Sequence, residues 1–318
     1  MQHLALEFEE ISHLCTAKDP RTLGSDNLDL EIVKLETIIV HVRRILPGLD
    51  QNGNSEPRAA APQWSAMLRL EAVTRRFGGV TAVDQVSFAV ETGSITAVIG
   101  PNGAGKTTLF NCVAGLFPPS SGQISFEGRP IHGLRPDAIF QRGLARTFQI
   151  PRPFPQMTLL DNVMLAPRGQ SGERVFDNWL NPRRVAREEA ANHDKSLHWL
   201  DFVGLGDLAD RPAHILSGGQ RKLLELARVM AAEPRLVLLD EPGAGVNPKL
   251  LDTIVEKIAA LNRTGITFLL IEHNMDLVAA LSQTVVVMAE GRVLTTGDAA
   301  TVTRDPRVID AYLGGVTA

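Results

Sequence analysis

The pattern of hydrophobic and polar positions divides most of the chain into short apolar segments separated by turns. Ile95–Ile99, Leu236–Asp240 and Thr267–Ile271 are almost continuously apolar, which is typical of central parallel strands buried on both faces. Alternating apolar and polar positions at 68–73 and 86–90 predict further strands. The strands together predict an α/β fold with a parallel core and an antiparallel β portion.

Helical spacing of apolar residues is clearest at 188–200 and recurs at the end of the chain, at 306–313. Residues 136–215 carry no strand pattern, and we predict mainly helices and loops there. The helical region lies between predicted strands, so it is an insertion in the same domain. We therefore expect one domain over 67–318 with a helical subdomain at about 150–230.

The first 66 residues have a different pattern. Residues 1–50 contain two heptad-like apolar seams separated by a breaker-rich stretch, which predicts a helical extension with a hairpin arrangement. Residues 51–66 are rich in Asn, Gly, Pro and Ala, as in a flexible linker. Three interpretations stay open for the extension. It docks on a partner or self-associates, it covers an apolar patch of the main domain, or natural translation begins at Met67.

Composition and charge exclude several classes of function. The 318 residues are 44% hydrophobic and 21% charged, and the formal net charge of −4 gives no sign of a nucleic-acid-binding surface. Two cysteines, Cys15 and Cys112, cannot form a disulfide framework and suit a reducing compartment. No apolar run approaches the length of about 18 residues that a membrane span needs. We therefore expect any work at a membrane to depend on docking to a protein that spans it.

A glycine-rich loop follows the apolar segment at 95–99 and precedes a helical segment. It has a Gly, four free positions and then Gly-Lys-Thr, a pattern that cradles phosphates with backbone N–H groups at a helix N-terminus. Lys106 is expected to reach the β- and γ-phosphates, and the Thr107 hydroxyl to hold Mg²⁺. The alternative is a chance Lys-Thr after a turn, which the flanking strand and helix disfavour. The loop consists of Gly100, Pro101, Asn102, Gly103, Ala104, Gly105, Lys106, Thr107 and Thr108.

Two carboxylates end the buried segment at 236–240. Asp240 is expected to position Mg²⁺, and Glu241 to polarise an attacking water as a general base. An Asp-Glu pair after a strand is also a common way to open a loop. Its place downstream of a phosphate loop favours the catalytic interpretation.

A second small-residue motif opens the helical segment at 223–230. Ser, two glycines and Gln at a helix N-terminus can bind an anion, although a turn with a cap would explain them equally well in isolation. The motif consists of Ser217, Gly218, Gly219 and Gln220. The phosphate loop, this Leu-Ser-Gly-Gly-Gln motif and the Asp-Glu strand, in that order, resemble the ATPase domain of ATP-binding cassette proteins. The resemblance covers about Leu68 to Gly315.

The resemblance implies a P-loop NTPase fold, with a RecA-like parallel core, an antiparallel β subdomain and a helical subdomain. It also implies roles for matching residues. Phe77 would stack on adenine, although a core Phe is the simpler alternative. Gln149 would sense the γ-phosphate and Mg²⁺ and take part in catalysis, and His273 would contact the γ-phosphate. Asn247 stands where many members have Asp, which puts the family's cross-subunit contact at that position in doubt.

Several longer stretches resemble one subfamily, the ATPases of hydrophobic amino acid uptake, and most closely the larger of its two ATPase subunits. They are 77–83, 145–149, 157–163, 241–248, 271–275 and 305–314. The resemblance implies an importer for branched-chain or related amino acids that uses ATP and Mg²⁺. Its partners would be transmembrane permease subunits, a second cassette ATPase of the same or a different kind and, indirectly, a periplasmic binding protein, with no nucleic acid. The protein would be peripheral, at the cytoplasmic face of the inner membrane.

Two other functions remain open at this point. The cargo could be urea, an aromatic compound or exported lipopolysaccharide, because the binding protein and the permeases choose it and no residue here does. A soluble cassette acting on DNA or ribosomes usually has two cassettes or a long coiled coil, and this chain shows neither. The surface at 149–163 is expected to receive a cytoplasmic helix of the permease. The alternative for its prolines is an ordinary surface loop.

Overall fold

The structure is a computed structural model that describes residues 66–147, 151–173 and 179–313. The predicted helical extension at 1–50, the linker except for Ala66, and Gln149 lie outside the described residues. Ala66 already belongs to the first strand.

Strands form two sheets in the described part of the chain. The strands are β1 (Ala66–Phe77), β2 (Val80–Glu91), β3 (Ile95–Ile99), β4 (Ser121–Phe126), β5 (Arg129–Pro130), β6 (Leu144–Arg146), β7 (Leu236–Asp240), β8 (Thr267–Ile271), β9 (Thr284–Ala289) and β10 (Arg292–Gly297). The larger sheet has the order β10-β9-β3-β8-β7-β6, in which only β10 is antiparallel to its neighbour. The smaller sheet, β2-β1-β4-β5, is antiparallel throughout. The predicted parallel core and antiparallel portion are confirmed.

Helices connect the strands. They are α1 (Lys106–Val113), α2 (Pro136–Gln141), α3 (Leu159–Met164), α4 (Pro182–Phe202), α5 (Gly218–Ala231), α6 (Pro248–Arg263), α7 (Met275–Leu281), α8 (Ala299–Thr303) and α9 (Pro306–Leu313). Between α3 and α5 lie α4 and short 3₁₀ turns, which form the helical portion inserted between β6 and β7. The long helix predicted at 188–200 is α4, and it begins earlier because Pro182 suits the first helical turn.

The central strands are almost continuously apolar because each faces two hydrophobic cores. Ile95, Ala97 and Ile99 of β3 pack in one core, with α5, α6 and α7, whereas Val98 packs in the other, with α1 and the antiparallel sheet. All five positions of β3, β7 and β8 are buried. Side chains alternate across a strand, so a strand covered on both sides needs an apolar residue at nearly every position.

The prediction of mainly helices and loops over 136–215 missed one strand, at Leu144–Arg146. These residues form β6, the edge strand of the large sheet, paired in parallel with β7. A strand of three residues is too short to show a period, and its pairing with a segment about 90 residues later leaves no local signal.

Parallel strands end at one edge of the sheet, and this edge assembles the candidate site. β8 lies between β3 and β7, so the loops that follow these three strands are neighbours. The phosphate loop follows β3, Glu241 follows β7 and Glu272 follows β8. Ligands of open α/β sheets bind beyond the carboxyl ends of the strands, which is where these loops lie.

Within the described ranges, no helix is both long enough and apolar enough to cross a membrane.

Candidate functional site

Three glycines of the loop between β3 and α1 have a positive φ, and at the two outer ones a Cβ would also overlap neighbouring main chain. Gly100 has φ +151° and Gly105 has φ +93°. A Cβ at Gly100 would overlap the Met288 carbonyl oxygen, and one at Gly105 would overlap the Ala82 carbonyl oxygen. Close backbone packing on both sides therefore requires the two outer glycines of the motif.

Lys106 is folded back along this loop. Its Nζ donates hydrogen bonds to the carbonyl oxygens of Gly100, at 2.8 Å, and Pro101, at 3.0 Å. The residue is only 6% exposed, and burial lowers the pKa of the amine, while the nearby carboxylates of Glu241 and Asp240 oppose that shift. The ammonium group thus lies at the centre of the loop, within the influence of both predicted catalytic carboxylates.

Thr107 and Asp240 line one cavity of about 760 Å³ beside the loop. Their hydroxyl and carboxylate oxygens are the ligands that Mg²⁺ prefers, and Mg²⁺ commonly takes one or two protein oxygens with substrate phosphates and waters. The described residues contain no group of three or more His, Cys, Asp or Glu that could hold a metal by itself. This donor set fits a magnesium ion that arrives with a nucleotide. Gln149, the third predicted metal-site residue, lies outside the described residues.

Asp240 is held by contacts that the sequence did not reveal. The Arg146 guanidinium at the end of β6 lies 2.9 Å from the Asp240 carboxylate and also donates to the Asn111 side chain on α1. The Asp240 N–H donates to the Thr147 hydroxyl at 3.2 Å. Arg146 thereby connects β6, α1 and β7 around the predicted metal-side carboxylate. The only signal was its place in the Arg-Thr-Phe-Gln motif.

Glu241 and His273 meet directly. Glu241 Oε1 lies 3.2 Å from His273 Nε2, although the two residues follow different strands. The Glu241 backbone is left-handed, with φ +50°, and its N–H donates to the Ile271 carbonyl at the end of β8. A left-handed backbone at a residue other than Gly, Asn or Asp is uncommon and occurs often at functional sites. It turns the Glu241 side chain toward the loop after β8.

Lys222 connects the small-residue motif to this pair. Its Nζ donates a 2.6 Å hydrogen bond to the Glu241 carbonyl oxygen from the second turn of α5. Burial lowers the pKa of the Lys222 amine, and the carboxylates of Glu272, Glu225, Glu241 and Asp240 oppose the shift. The helix that begins with the motif is therefore fastened to the backbone of the predicted general base.

The motif itself forms the start of α5. Ser217 caps the helix, with its hydroxyl accepting from the Gln220 N–H while the Gln220 side chain accepts from the Ser217 N–H. Gly218 is exposed, whereas a Cβ at Gly219 would overlap the Leu250 side chain on α6. In the described ranges no hydrogen bond joins these four residues to the phosphate loop of the same chain.

Phe77 ends β1 with its ring 41% exposed, so it is not a core side chain. Phe117 meets the ring edge-on at 5.5 Å, and the Arg75 guanidinium lies 4.6 Å from the ring centroid. Arg75 is in turn held by a hydrogen bond to the Pro118 carbonyl. The Phe77 ring is thus held by two neighbours and remains partly exposed, and an exposed aromatic ring can stack on a planar ligand.

Two further residues carry information about the site. The Asn247 side chain caps α6, accepting from the Leu250 N–H at 3.0 Å, so the loop after Glu241 is tied to that helix. Burial raises the pKa of Tyr312 on α9, and a hydrogen bond with the Gly100 main chain acts in the opposite direction. Tyr312 therefore lies near the first glycine of the phosphate loop, a proximity that no motif indicated.

A buried side chain holds the main chain of the proline-rich segment before α3. Asn162 is fully buried and bonds to the main chain of Phe154, Met157 and Thr158. Phe154 itself is 51% exposed, with the Arg228 guanidinium 5.9 Å from its ring centroid. The structure thus presents an apolar side chain on a rigid support.

Two family models match the chain. One described as ABC transporter matches residues 83–244, and one described as branched-chain amino acid ATP-binding cassette transporter matches residues 292–318. The first range holds the phosphate loop, the small-residue motif and both strand-terminal carboxylates. The second holds β10 and the terminal helices.

Alignments of this chain with curated relatives cover almost the whole length of those relatives. A protein of Archaeoglobus fulgidus named probable branched-chain amino acid transport ATP-binding protein LivG is 41% identical over 248 residues, covering 78% of this chain and 95% of that protein. The high-affinity branched-chain amino acid transport ATP-binding protein BraF of Pseudomonas aeruginosa is 40% identical over 249 residues, covering 78% and 98%. The aligned lengths leave about a fifth of this chain unmatched.

Solved structures of similar fold include a nucleotide-free ATP-binding cassette from an ABC transporter, with a TM-score of 0.68, 35% identity and coverage of 77% of this chain and 98% of that one. A second is the ADP conformation of an ATP-binding cassette of an ABC transporter, with a TM-score of 0.68, 33% identity and coverage of 78% and 99%.

Proposed function

Because the chain belongs to the ABC transporter family of ATP-binding proteins, we propose that it powers an importer of branched-chain or related amino acids by binding and hydrolysing ATP. The observation that carries this cargo class is the similarity, at about 40% identity over nearly their whole length, to curated proteins named for branched-chain amino acid transport. The match of residues 292–318 to a branched-chain amino acid cassette model supports it independently.

The phosphate loop binds the triphosphate in this proposal. The backbone N–H groups of the loop, which Pro101 alone lacks, surround the phosphates. The Lys106 ammonium moves from the Gly100 and Pro101 carbonyls to the phosphate oxygens. Phe77 stacks on the adenine. Thr107, Asp240 and Gln149 hold Mg²⁺, which supplies charge neutralisation at the phosphates when bound.

Glu241 and His273 act on the attacking water and the γ-phosphate. Glu241 accepts a proton from the water. His273 lies 3.2 Å from the Glu241 carboxylate, orients that carboxylate and contacts the phosphate. The Lys222 bond to the Glu241 carbonyl and the left-handed Glu241 backbone keep the carboxylate in place.

The site is completed by a second cassette ATPase, of the same or a different kind. Ser217, Gly218, Gly219 and Gln220 close on the ATP that the partner's phosphate loop holds. Their lack of a hydrogen bond to this chain's own loop, within the described ranges, supports this. ATP closes the pair and hydrolysis reopens it.

Transmembrane permease subunits couple the closing and reopening of the pair to transport of the amino acid. The segment at 149–163, with Phe154 exposed at its surface, receives a cytoplasmic helix of the permease. A periplasmic binding protein delivers the amino acid from the other side. The protein is therefore peripheral, at the cytoplasmic face of the inner membrane, and its composition supports no role with nucleic acid.

Glu241→Gln tests the ATPase assignment. The full chain with this change should bind ATP with unchanged affinity, lose about 100-fold or more in kcat and form a stable pair in ATP. Equilibrium binding, phosphate release and light scattering measure these. Glu256→Gln, an exposed carboxylate on α6, is the matched control. Near-normal hydrolysis by Glu241→Gln would refute the general-base role.

The cargo class is tested on the assembled transporter. Affinity purification of the native complex should identify two permeases and a binding protein, and leucine should stimulate ATP hydrolysis in proteoliposomes containing them. Stimulation by urea or an aromatic compound and not by leucine would replace the proposed cargo.

A further inference from the structure

We propose that Glu272 is a positioning residue of the ATPase, which fastens the loop after Glu241 to the loop that carries His273. The proposal rests on the ATPase function proposed above and adds a residue to it. Glu272 touches neither the proposed water nor the phosphates. It acts through the main chain on both sides of the Glu241–His273 pair.

The Glu272 carboxylate accepts three main-chain hydrogen bonds from two loops. Oε1 accepts from the Gly243 N–H at 2.7 Å, and Oε2 accepts from the N–H groups of His273 at 2.9 Å and Asn274 at 3.2 Å. The residue is 3% exposed. Its two oxygens therefore each serve one loop, and water competes little for them.

The strand geometry explains why such a connection matters. β7 and β8 are hydrogen-bonded neighbours up to the pair Asp240 and Ile271, and after this pair the two loops separate. The bond from the Glu241 N–H to the Ile271 carbonyl continues the ladder past that pair. Glu272 connects the two loops beyond it. It stands directly before His273 and accepts from Gly243, which lies two residues after Glu241.

The space around Gly243 is also consistent with a close contact between its N–H and the Glu272 carboxylate. A Cβ there would lie 2.9 Å from Glu272 Oε1, closer than side-chain contacts normally come. A glycine at this position lets the backbone N–H approach the carboxylate. The approach depends on the length of a glutamate, because an aspartate is one methylene shorter.

The consequence is that two reacting side chains share one rigid frame. A general base and the residue that orients it contribute fully only when their relative positions are fixed within a fraction of an ångström. Removing the carboxylate frees Gly243 and His273 to move independently. Loss of an outer hydrogen-bonding partner of this kind costs about 10- to 100-fold in activity in comparable sites.

The test compares Glu272→Gln and Glu272→Asp in the full chain. Gln keeps the length but replaces one acceptor oxygen with a donor that faces an N–H group. Asp keeps the charge and the nearby acceptors for His273 and Asn274 but falls short of Gly243. Both variants should lose about 10- to 100-fold in kcat with an ATP KM within about twofold of wild type. Glu256→Gln is the control.

A double-mutant cycle separates positioning from general destabilisation. His273→Ala removes one of the two groups that Glu272 places, so adding Glu272→Gln to it should reduce kcat much less than adding it to wild type. A purely structural role would lower the amount of folded protein equally in both backgrounds. Denaturant unfolding of each variant measures that fraction.

The outcomes distinguish this proposal from the one before it. An active wild type with unchanged kcat in Glu272→Gln, or with fully additive effects in the cycle, would overturn the positioning role and leave the ATPase function standing. A wild-type protein that does not hydrolyse ATP in any assembly would overturn both.

Discussion

The Arg146 guanidinium lies 2.9 Å from the Asp240 carboxylate, and the two side chains are only 11% and 5% exposed. A buried ion pair of this kind does not by itself add stability, because both charges lose their hydration. Breaking it by removal of one partner is costly, since the other charge is left buried and unpaired. Asp240 is also a proposed magnesium ligand, so the pair connects folding with nucleotide binding.

Arg146→Met tests the pair. The change keeps side-chain bulk but leaves the Asp240 carboxylate without its cation, and we expect a loss of about 3–5 kcal/mol in the free energy of unfolding. Urea denaturation followed by circular dichroism measures it. Adding Asp240→Asn should recover part of the loss, because it removes the unpaired charge.

A surface pair provides the control. Arg135 and Asp137 lie 2.7 Å apart but are 82% and 63% exposed. Arg135→Met should leave the unfolding midpoint unchanged, because exposed pairs contribute little. Equal losses for Arg146→Met and Arg135→Met would contradict the importance assigned to burial.

The sequence predicted those parts of the fold in which burial imposes a local pattern of apolar residues. β3, β7 and β8 have the predicted bounds because strands covered on both faces need an apolar residue at nearly every position. The pairings of Arg146 with Asp240 and of Glu272 with Gly243 join residues 94 and 29 positions apart. Contacts at that separation depend on how strands stack in the sheet, which no local period records.

The candidate site, like the fold, was predictable from the sequence only in part. Motif spacing pointed to the phosphate loop, the end of a buried strand pointed to Asp240 and Glu241, and the family resemblance implied His273. The structure brings these residues to one sheet edge. Within the described ranges, no hydrogen bond joins the segment from Ser217 to Gln220 to the phosphate loop. Lys222 was missed because its role is a side-chain bond to a backbone carbonyl, for which the residue type alone gives no signal.

Adjacent glycines at the start of α5 should respond differently to alanine. A Cβ at Gly219 overlaps the Leu250 side chain, so Gly219→Ala should cost about 1 kcal/mol while Leu250 shifts. A Cβ at Gly218 meets nothing within 4 Å, and Gly218→Ala should be neutral or slightly stabilising because alanine favours helix. Thermal unfolding of the two variants checks this, and Leu250→Ala should reduce the cost at Gly219. Equal effects at both glycines would contradict the packing.

Phe154→Ser should uncouple transport from hydrolysis. Half of the Phe154 side chain is exposed and Asn162 holds its backbone, so the change removes a surface contact without disturbing the site. We expect basal ATP hydrolysis within about twofold of wild type and a loss of amino acid uptake in proteoliposomes. Met157→Ser should act similarly. Trp179→Ser is the control, since Trp179 is 82% exposed but lies outside the proposed docking segment. Full uptake by both docking variants would place the permease contact elsewhere.

Cys112 should resist alkylation in the folded protein. Its thiol is 2% exposed on α1, and burial raises its pKa to about 11. A raised pKa keeps an acidic group protonated, and the reactive species is the thiolate, so near neutral pH almost no reactive form exists. Mass spectrometry of the Cys112 peptide after iodoacetamide treatment should show the free thiol in native protein and complete labelling in denaturant. Rapid labelling of native protein would show that α1 opens readily.

The two hydrogen bonds from Lys106 to the Gly100 and Pro101 carbonyls have a consequence for affinity. The loop already satisfies two of the three donors of its ammonium group, so an incoming phosphate that takes these donors exchanges hydrogen bonds instead of adding them. For these two donors, the contribution of Lys106 to the free energy of ATP binding is then only the difference between two sets of acceptors. A modest affinity is the expected result, and it suits a motor that must release its spent nucleotide in every cycle.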